Sequence, residues 1–373
     1  MAITYLEPEA PAPLGTRILS TLGRLAVSIL VPLVAFAVLR QGFVFLRDSA
    51  APKWVIVLVA IVWGVGGIAM LYAVANWFVE RLPATASRRI QPYVFVGPAA
   101  AILIWYLALP TVRTFWASLQ DQNSLNFVGA DNYTYAFTDS SMLVVFRNNL
   151  MWMVVGTLFS VTVGLLVAVL ADRSKFEKSA KALIFLPMAI SFVGAGVIWN
   201  FIYEIRDVSD PQIGLLNAIW VGLFNGDPQP WTAFNQPFNN LFLILIVVWL
   251  QSGFAMVLFS AAVKGVPTDQ LEAARVDGAT EIQTFFRVVI PAIAGTILTV
   301  TTTVVIFTLK IFDVVWVMTG GQFGTDVIAT QFYRQYFVAG NSGRGSAIAI
   351  VLLVAVIPVM IYNLRQFGQR ETF

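Results

Sequence analysis

Residues 267–291 read PTDQLEAARVDGATEIQTFFRVVIP, a polar and charged island between two long apolar runs. Asp269 is followed three residues later by Glu272, which fits a capping box, and Pro267 just upstream suits a helix start. The spacing therefore predicts a short helix beginning here. Gly278 is expected to end it, because a residue without Cβ readily takes the left-handed conformation that closes a helix. Thr280 with Gln283 offers a second capping box for a new helix running into Phe285, Phe286, Val288 and Val289. The expected product is helix, sharp turn, helix. Ala273 and Ala274 leave a shallow surface that a neighbouring protein can approach closely, while Glu272, Arg275 and Asp277 supply charges to hold it.

This pattern resembles the EAA loop of ABC importer permeases, in which EAA, three residues, Gly, nine residues and an Ile-x-Leu-Pro ending form cytoplasmic coupling helices. Glu272, Ala273, Ala274, Gly278 and Pro291 fall at the family's spacing. Val288 for Ile and Ile290 for Leu are the only departures, and both keep the apolar character. The resemblance implies that Glu272, Ala273, Ala274, Arg275, Asp277 and Gly278 dock into a cleft on a separate ATPase subunit. A surface helix that only joins two membrane spans is the alternative reading of the same residues.

Composition sets the class. Of 373 residues, 58% are hydrophobic and 12% charged, far too apolar for an ordinary soluble domain, so the chain reads as an all-α integral membrane protein. The absence of Cys excludes a disulfide framework and thiolate metal sites, and the absence of His removes the commonest general base and metal ligand. No catalytic or metal-binding residue is expected. A net charge of +3 is too small to imply nucleic acid.

Taken in order, residues 1–16 are expected to be a disordered cytoplasmic tail, and no cleavable signal peptide is read there. A first span lies around residues 24–46. The second, Trp54 to Val79, carries no charge and is long enough to cross about 30 Å of hydrocarbon. A third runs from Pro92 to about Pro110. The polar stretch 113–147, with FVGADNY at 127–133, belongs outside. Spans four (148–171) and five (182–203) flank the basic connector DRSKFEKSAK. Residues 204–238, rich in Pro and acids, read as a folded external loop. Spans six (239–263) and seven (288–309, with an extension to Met318 conceivable) flank the opening stretch, and span eight runs from Gly345 to Leu364. That makes eight.

Orientation follows from Lys and Arg. The N-terminal tail has two, the 81–89 connector three, the 173–181 connector four, the 264–287 stretch three and the C-terminal tail two, leaving nine of the 23 for the other face. The richer face is cytoplasmic by the positive-inside rule, which puts both termini and the opening stretch inside. No Walker A pattern exists to cradle a nucleotide phosphate. ATP and Mg are therefore expected on partner ATPase subunits, with no cofactor in this chain.

The similarity reaches over residues 90–370. PYVFVGPAAAILIWYLALP, RNNLMWMVVGTLFSVTVGLLVAVLADR, LIFLPMAISFVGAGVIWNFIYE, WLQSGFAMVLFSAAVKGVP and FDVVWVMTGGQFGTDVIA look like permeases of the maltose-transporter type: a six-span core (90–373) preceded by two accessory spans (17–89). ADRSKFEKSAKALIFLPMAISFVGAG and TGGQFGTDV look most like the α-glucoside and glucosylglycerol branch, where Gln322-Phe323 replace the more usual Gly-Gly-Pro-like residues. The resemblance implies a heteromeric importer in the bacterial plasma membrane. Its parts are this subunit, a homologous second permease, two ATPase subunits and an extracytoplasmic sugar-binding protein.

A sugar path needs polar and aromatic groups that are costly facing lipid. Gln251 and Phe254 lie three apart on span six; the amide suits sugar hydroxyls and the ring suits the apolar side of a pyranose. In the maltose-transporter type, positions matching Gln251, Phe254 and Phe307 line the sugar site. Interhelical hydrogen bonding by Gln251 and bundle packing by the rings are the alternative. Lys310 and Asp313, also assigned to the path, are expected to form a structural ion pair with each other. Thr299, Thr301, Thr302 and Thr303 are expected to bond back to their own helix and are assigned no function. Two other readings of the chain stay open: the same importer family with another oligosaccharide or a glycerol phosphate, and an ion-coupled secondary transporter, against which stands the scarcity of Asp and Glu within the spans.

Overall fold

A computed structural model describes residues 14–81, 84–172 and 174–370. Among them the chain is helical, with a single isolated bridge between Gln120 and Phe127 and no strand. Six helices are long and apolar enough to cross a membrane: Leu30–Asp48, Lys53–Glu80, Thr85–Ser118, Ser140–Asp172, Phe238–Lys264 and Ser342–Asn363. Two bent pairs, Glu177–Ala189 with Phe192–Ile202 and Glu281–Ala292 with Ala294–Leu309, raise the number of spans to eight if each pair is one span. The expected tail falls mostly on residues 1–13, outside the described residues; the first helix begins at Leu14.

The chain divides into two compact units, Met1–Pro110 and Thr111–Phe373. In the first, the indole N–H of Trp63 donates to the Leu39 carbonyl at 3.1 Å, and the Tyr72 hydroxyl donates to the Phe95 carbonyl at 3.1 Å. Much of its apolar surface faces outward, as lipid-facing spans require.

In the second unit the fourth and sixth spans approach closely because one side of the contact lacks a side chain. A Cβ built on Gly164 would lie 2.4 Å from the Ala255 Cβ and 3.0 Å from the Met256 amide nitrogen. Small residues permit such approach, and dispersion rather than the hydrophobic effect holds helices together in lipid. Two asparagines knit distant ends. Asn149 donates to the Leu309 carbonyl at 2.9 Å and accepts from the Ile328 amide at 2.6 Å; Asn148 donates to the carbonyls of Gly324 and Asp326.

The structure corrects several boundaries. Span five is not one straight helix: its halves meet at 105°, across a 3-10 turn at Leu186–Ala189. Pro187 lacks an N–H and restricts Leu186, and the Ser191 hydroxyl accepts from the Gly194 amide to start the second half afresh. Span seven bends by 70° just after Pro291, for the same reason. It ends at Leu309, not Met318, because Ile311 and Phe312 leave helical geometry and a separate helix, Asp313–Thr319, follows. Span three continues past Pro110 to Ser118.

Residues 204–238 are folded, as expected. The helix Leu215–Phe224 is anchored by Asn217, whose amide donates to the carbonyls of Glu204 and Gln229 and whose Oδ1 accepts from the Gln229 amide and the Trp231 indole.

Candidate functional site

The opening stretch forms the short helix Thr268–Val276, none of whose residues is buried. Its anchor is Leu271, which packs with Phe285 on a cluster of Val266, Val289 and Ile293. The helix starts earlier than a capping box on Asp269 allows: Pro267 is the N-cap, makes no side-chain cap, and places Asp269 inside the first turn. The fixed φ of Pro267, −58°, sets the start in place of a side chain. Asp269 still favours that end through the helix dipole.

Gly278 takes φ +80°, and the turn is closed by hydrogen bonds from the Gly278 amide to Arg275 and from the Ala279 amide to Ala274. Thr280 and Gln283 form the expected reciprocal capping box, with the Thr280 amide donating to Gln283 Oε1 at 2.9 Å and the Gln283 amide to Thr280 Oγ1 at 3.3 Å. Arg275 pairs with Glu281 across the turn at 3.5 Å, an exposed contact of small energetic weight. Glu272, Ala273, Arg275 and Asp277 are exposed, while Ala274 is half-buried. Around them Val276 is 87% exposed, Ile282 72% and Phe286 63%. Apolar groups interleaved with charges are thus left uncovered on this side of the chain. Sequence spacing found the charges and the turn; it did not single out these three apolar residues.

The residues assigned to the path are not gathered in one place. Gln251 is half-buried, with no hydrogen bond from its amide among the described residues. Phe254 packs on the cluster of Ala168, Met256, Phe259, Val300 and Val304. Phe307 belongs to a different cluster, with Trp152, Leu243 and Val247, and lies 4.7 Å from Phe192, centroid to centroid. Lys310 is exposed and Asp313 half-buried, and among the described residues no ion pair joins them. The helix break explains this: Lys310 caps the end of one helix and Asp313 opens the next, so the i,i+3 geometry of a continuous helix is absent. Thr299, Thr302 and Thr303 do bond to carbonyls of their own helix, whereas among the described residues the Thr301 hydroxyl makes no such bond.

What sequence spacing missed is the break in span five. It brings Phe192 onto Phe307 and places the backbone of Ile184 against span six, where a Cβ on Gly253 would lie 2.5 Å from the Ile184 carbonyl oxygen. Irregular backbone at membrane depth is tolerated only where protein or a water-filled cavity surrounds it. Pro187 followed by Ser191 was the available signal.

Comparison with known proteins supports the same reading. Residues 142–367 match the family described as binding-protein-dependent transport system inner membrane component. Over 278 residues the chain is 52% identical to the osmoprotective compounds uptake permease protein GgtC of Synechocystis, covering 74% of this chain and 99% of that protein. It is 46% identical to the alpha-glucoside transport system permease protein AglF of Rhizobium meliloti, covering 74% of this chain and 82% of that protein. A chain from the crystal structure of a bacterial ABC transporter involved in alginate import shares the fold, with a TM-score of 0.64 at 20% identity over 77% of this chain and 97% of that one. With the EAA-type helix and its Gly278 turn in place, the chain belongs to the inner membrane permease components of binding-protein-dependent ABC transport systems.

Proposed function

We propose that this chain is one of two homologous transmembrane subunits of an ATP-driven importer for an α-glucoside, either an α-linked disaccharide or glucosylglycerol. The two relatives named for osmoprotective compounds and for alpha-glucosides support the substrate class. The observation that carries the coupling role is the exposed helix Thr268–Val276, held at a fixed angle by the Gly278 turn and flanked by exposed apolar residues. Two partner ATPase subunits bind ATP and Mg, and this helix seats in one of them. Closure of the ATPases then moves the helix as a lever and rocks the spans between outward-open and inward-open states. An extracytoplasmic binding protein delivers the sugar to the outer face. The path runs past Gln251, Phe254 and Phe307, with the broken fifth span beside Phe307. Both termini and the coupling helix lie in the cytoplasm.

The test of the substrate class is ligand-dependent thermal shift of the binding protein that co-purifies with the complex. Stabilisation by glucosylglycerol or by α-linked disaccharides is expected. Stabilisation by glycerol phosphate alone contradicts it.

A further inference from the structure

Two acids and two lysines meet where the fourth, fifth and sixth spans end, close to the coupling helix. Asp172 closes the fourth-span helix, Glu177 and Lys181 lie on the first half of the broken fifth span, and Lys264 closes the sixth. Lys181 pairs with Asp172 and reaches Glu177 Oε1 at 2.6 Å and Ser260 Oγ at 2.5 Å. The Ser260 hydroxyl donates in turn to Asp172 Oδ1 at 2.8 Å. Lys264 pairs with Glu177 and lies 3.9 Å from Asp172. The Lys181–Glu177 pair braces a single helix, but the hydrogen bonds of Lys181 to Ser260, Ser260 to Asp172 and Lys264 to Glu177 join residues 79 to 88 positions apart and bind the sixth span to the fourth and fifth.

The ring is not a loose surface pair. The side chains of Asp172 and Lys181 are only 12% and 19% exposed, so removing either partner strands a charge largely withdrawn from water. Its position is mechanical. Only Gly265, Val266 and Pro267 separate Lys264 from Thr268, the start of the coupling helix. In the other direction the helix bearing Lys181 runs only to Phe185, then meets the break that leads to Phe192 and its ring contact with Phe307. A short helix tied at one end to the last residue of the sixth span, next to the coupling segment, and continuing at the other into the break is placed to pass displacement between them.

Resting on the coupling role proposed above, we infer that Asp172, Glu177, Lys181, Ser260 and Lys264 form an ionic cross-link that carries motion of the Thr268–Val276 helix into the broken fifth span. Lys181 and Asp172 are then positioning residues for transport. A ring that served assembly alone changes how much complex forms; a ring that transmits motion changes the ratio of stimulated to basal ATP hydrolysis.

The experiment reconstitutes the complete importer carrying Lys181→Ala, Lys264→Ala or Lys181→Arg and measures subunit content, basal hydrolysis, hydrolysis with loaded binding protein, and uptake. Lys181→Ala and Lys264→Ala are expected to keep basal hydrolysis while stimulation and uptake fall by about tenfold. Lys181→Arg, which keeps the charge, is expected to restore both. Wild-type stimulation in the two alanine variants overturns the inference. If Lys181→Ala fails to assemble, Lys264→Ala decides alone, since its 52% exposed side chain can be lost without burying a charge. Gly278→Val, run in parallel, separates the two levels: loss of stimulation there with normal ring variants rejects the cross-link only, and normal behaviour in all of them rejects the coupling role as well.

Discussion

Gly278 and Gly164 are glycines for opposite reasons. At Gly278 an added Cβ meets no atom within 4 Å, so a substitution is opposed only by φ +80°, a cost of about 1–2 kcal/mol for a residue with a side chain. At Gly164 the backbone is ordinary and the space is missing. Gly164→Val is therefore expected to destabilise the contact of the fourth and sixth spans by about 1–3 kcal/mol, seen as a lower thermal midpoint of the purified complex. An unchanged midpoint contradicts the close approach. The sequence pattern displayed Gly278 through its place after a helical, charged run, and hid Gly164 in a uniformly apolar span. Single residues were also where spacing misled: Lys310 and Asp313 have ion-pair spacing on a helix that does not continue through them. Gln251 and Phe254 share a face, yet Phe254 and Phe307 pack in separate clusters. If the path passes them, Gln251→Leu and Phe254→Ala raise the KM for uptake while subunit content stays constant; unchanged transport affinity in both assigns them to packing.

At the scale of elements, the apolar helical stretches were legible and their shape was not: six are single candidate spans, and the count of eight holds if each bent pair is one span. Hydropathy integrates over a window, and a span bent by 105° has the same composition as a straight one. Pro187 and Pro291 mark both bends, but proline is also tolerated within longer helices here, as Pro92, Pro98 and Pro358 show, so the residue alone did not decide. What decides at 187–191 is the combination with Ser191, which caps a new start. The folded connection at 204–238 was legible through its prolines and tryptophans, and its key is Asn217. Replacing it by Ala leaves the Gln229 amide and Trp231 indole without their acceptor, at about 1–3 kcal/mol for each group left unsatisfied. Asn217→Ala is expected to make residues 204–238 readily cleaved by added protease in intact membrane preparations, with the spans left whole. Protection equal to wild type removes Asn217 from that role.

For the whole molecule, family membership displaces the ion-coupled alternative, and the remaining questions concern sidedness and coupling. The chain has no cysteine, so single cysteines at the exposed positions Ser179 and Asp227 report sidedness directly. An impermeant thiol reagent applied to intact cells is expected to label position 227 and spare 179, and the reverse pattern inverts the topology. The connector charges carry the orientation proposed here because insertion itself responds to them. The proposed interface was legible only in part: the EAA spacing points to the helix proposed to dock, whereas Val276, Ile282 and Phe286 look like any other apolar residues until the fold leaves them uncovered. The account stands on that helix as the link between ATP hydrolysis and the spans. The direct measurement is ATP hydrolysis by the reconstituted importer, with and without loaded binding protein, in Gly278→Val and Glu272→Lys. Both variants are predicted to insert and either to lose the ATPase or to retain it without stimulation, whereas wild-type ATPase binding, stimulation and transport in both would contradict the account.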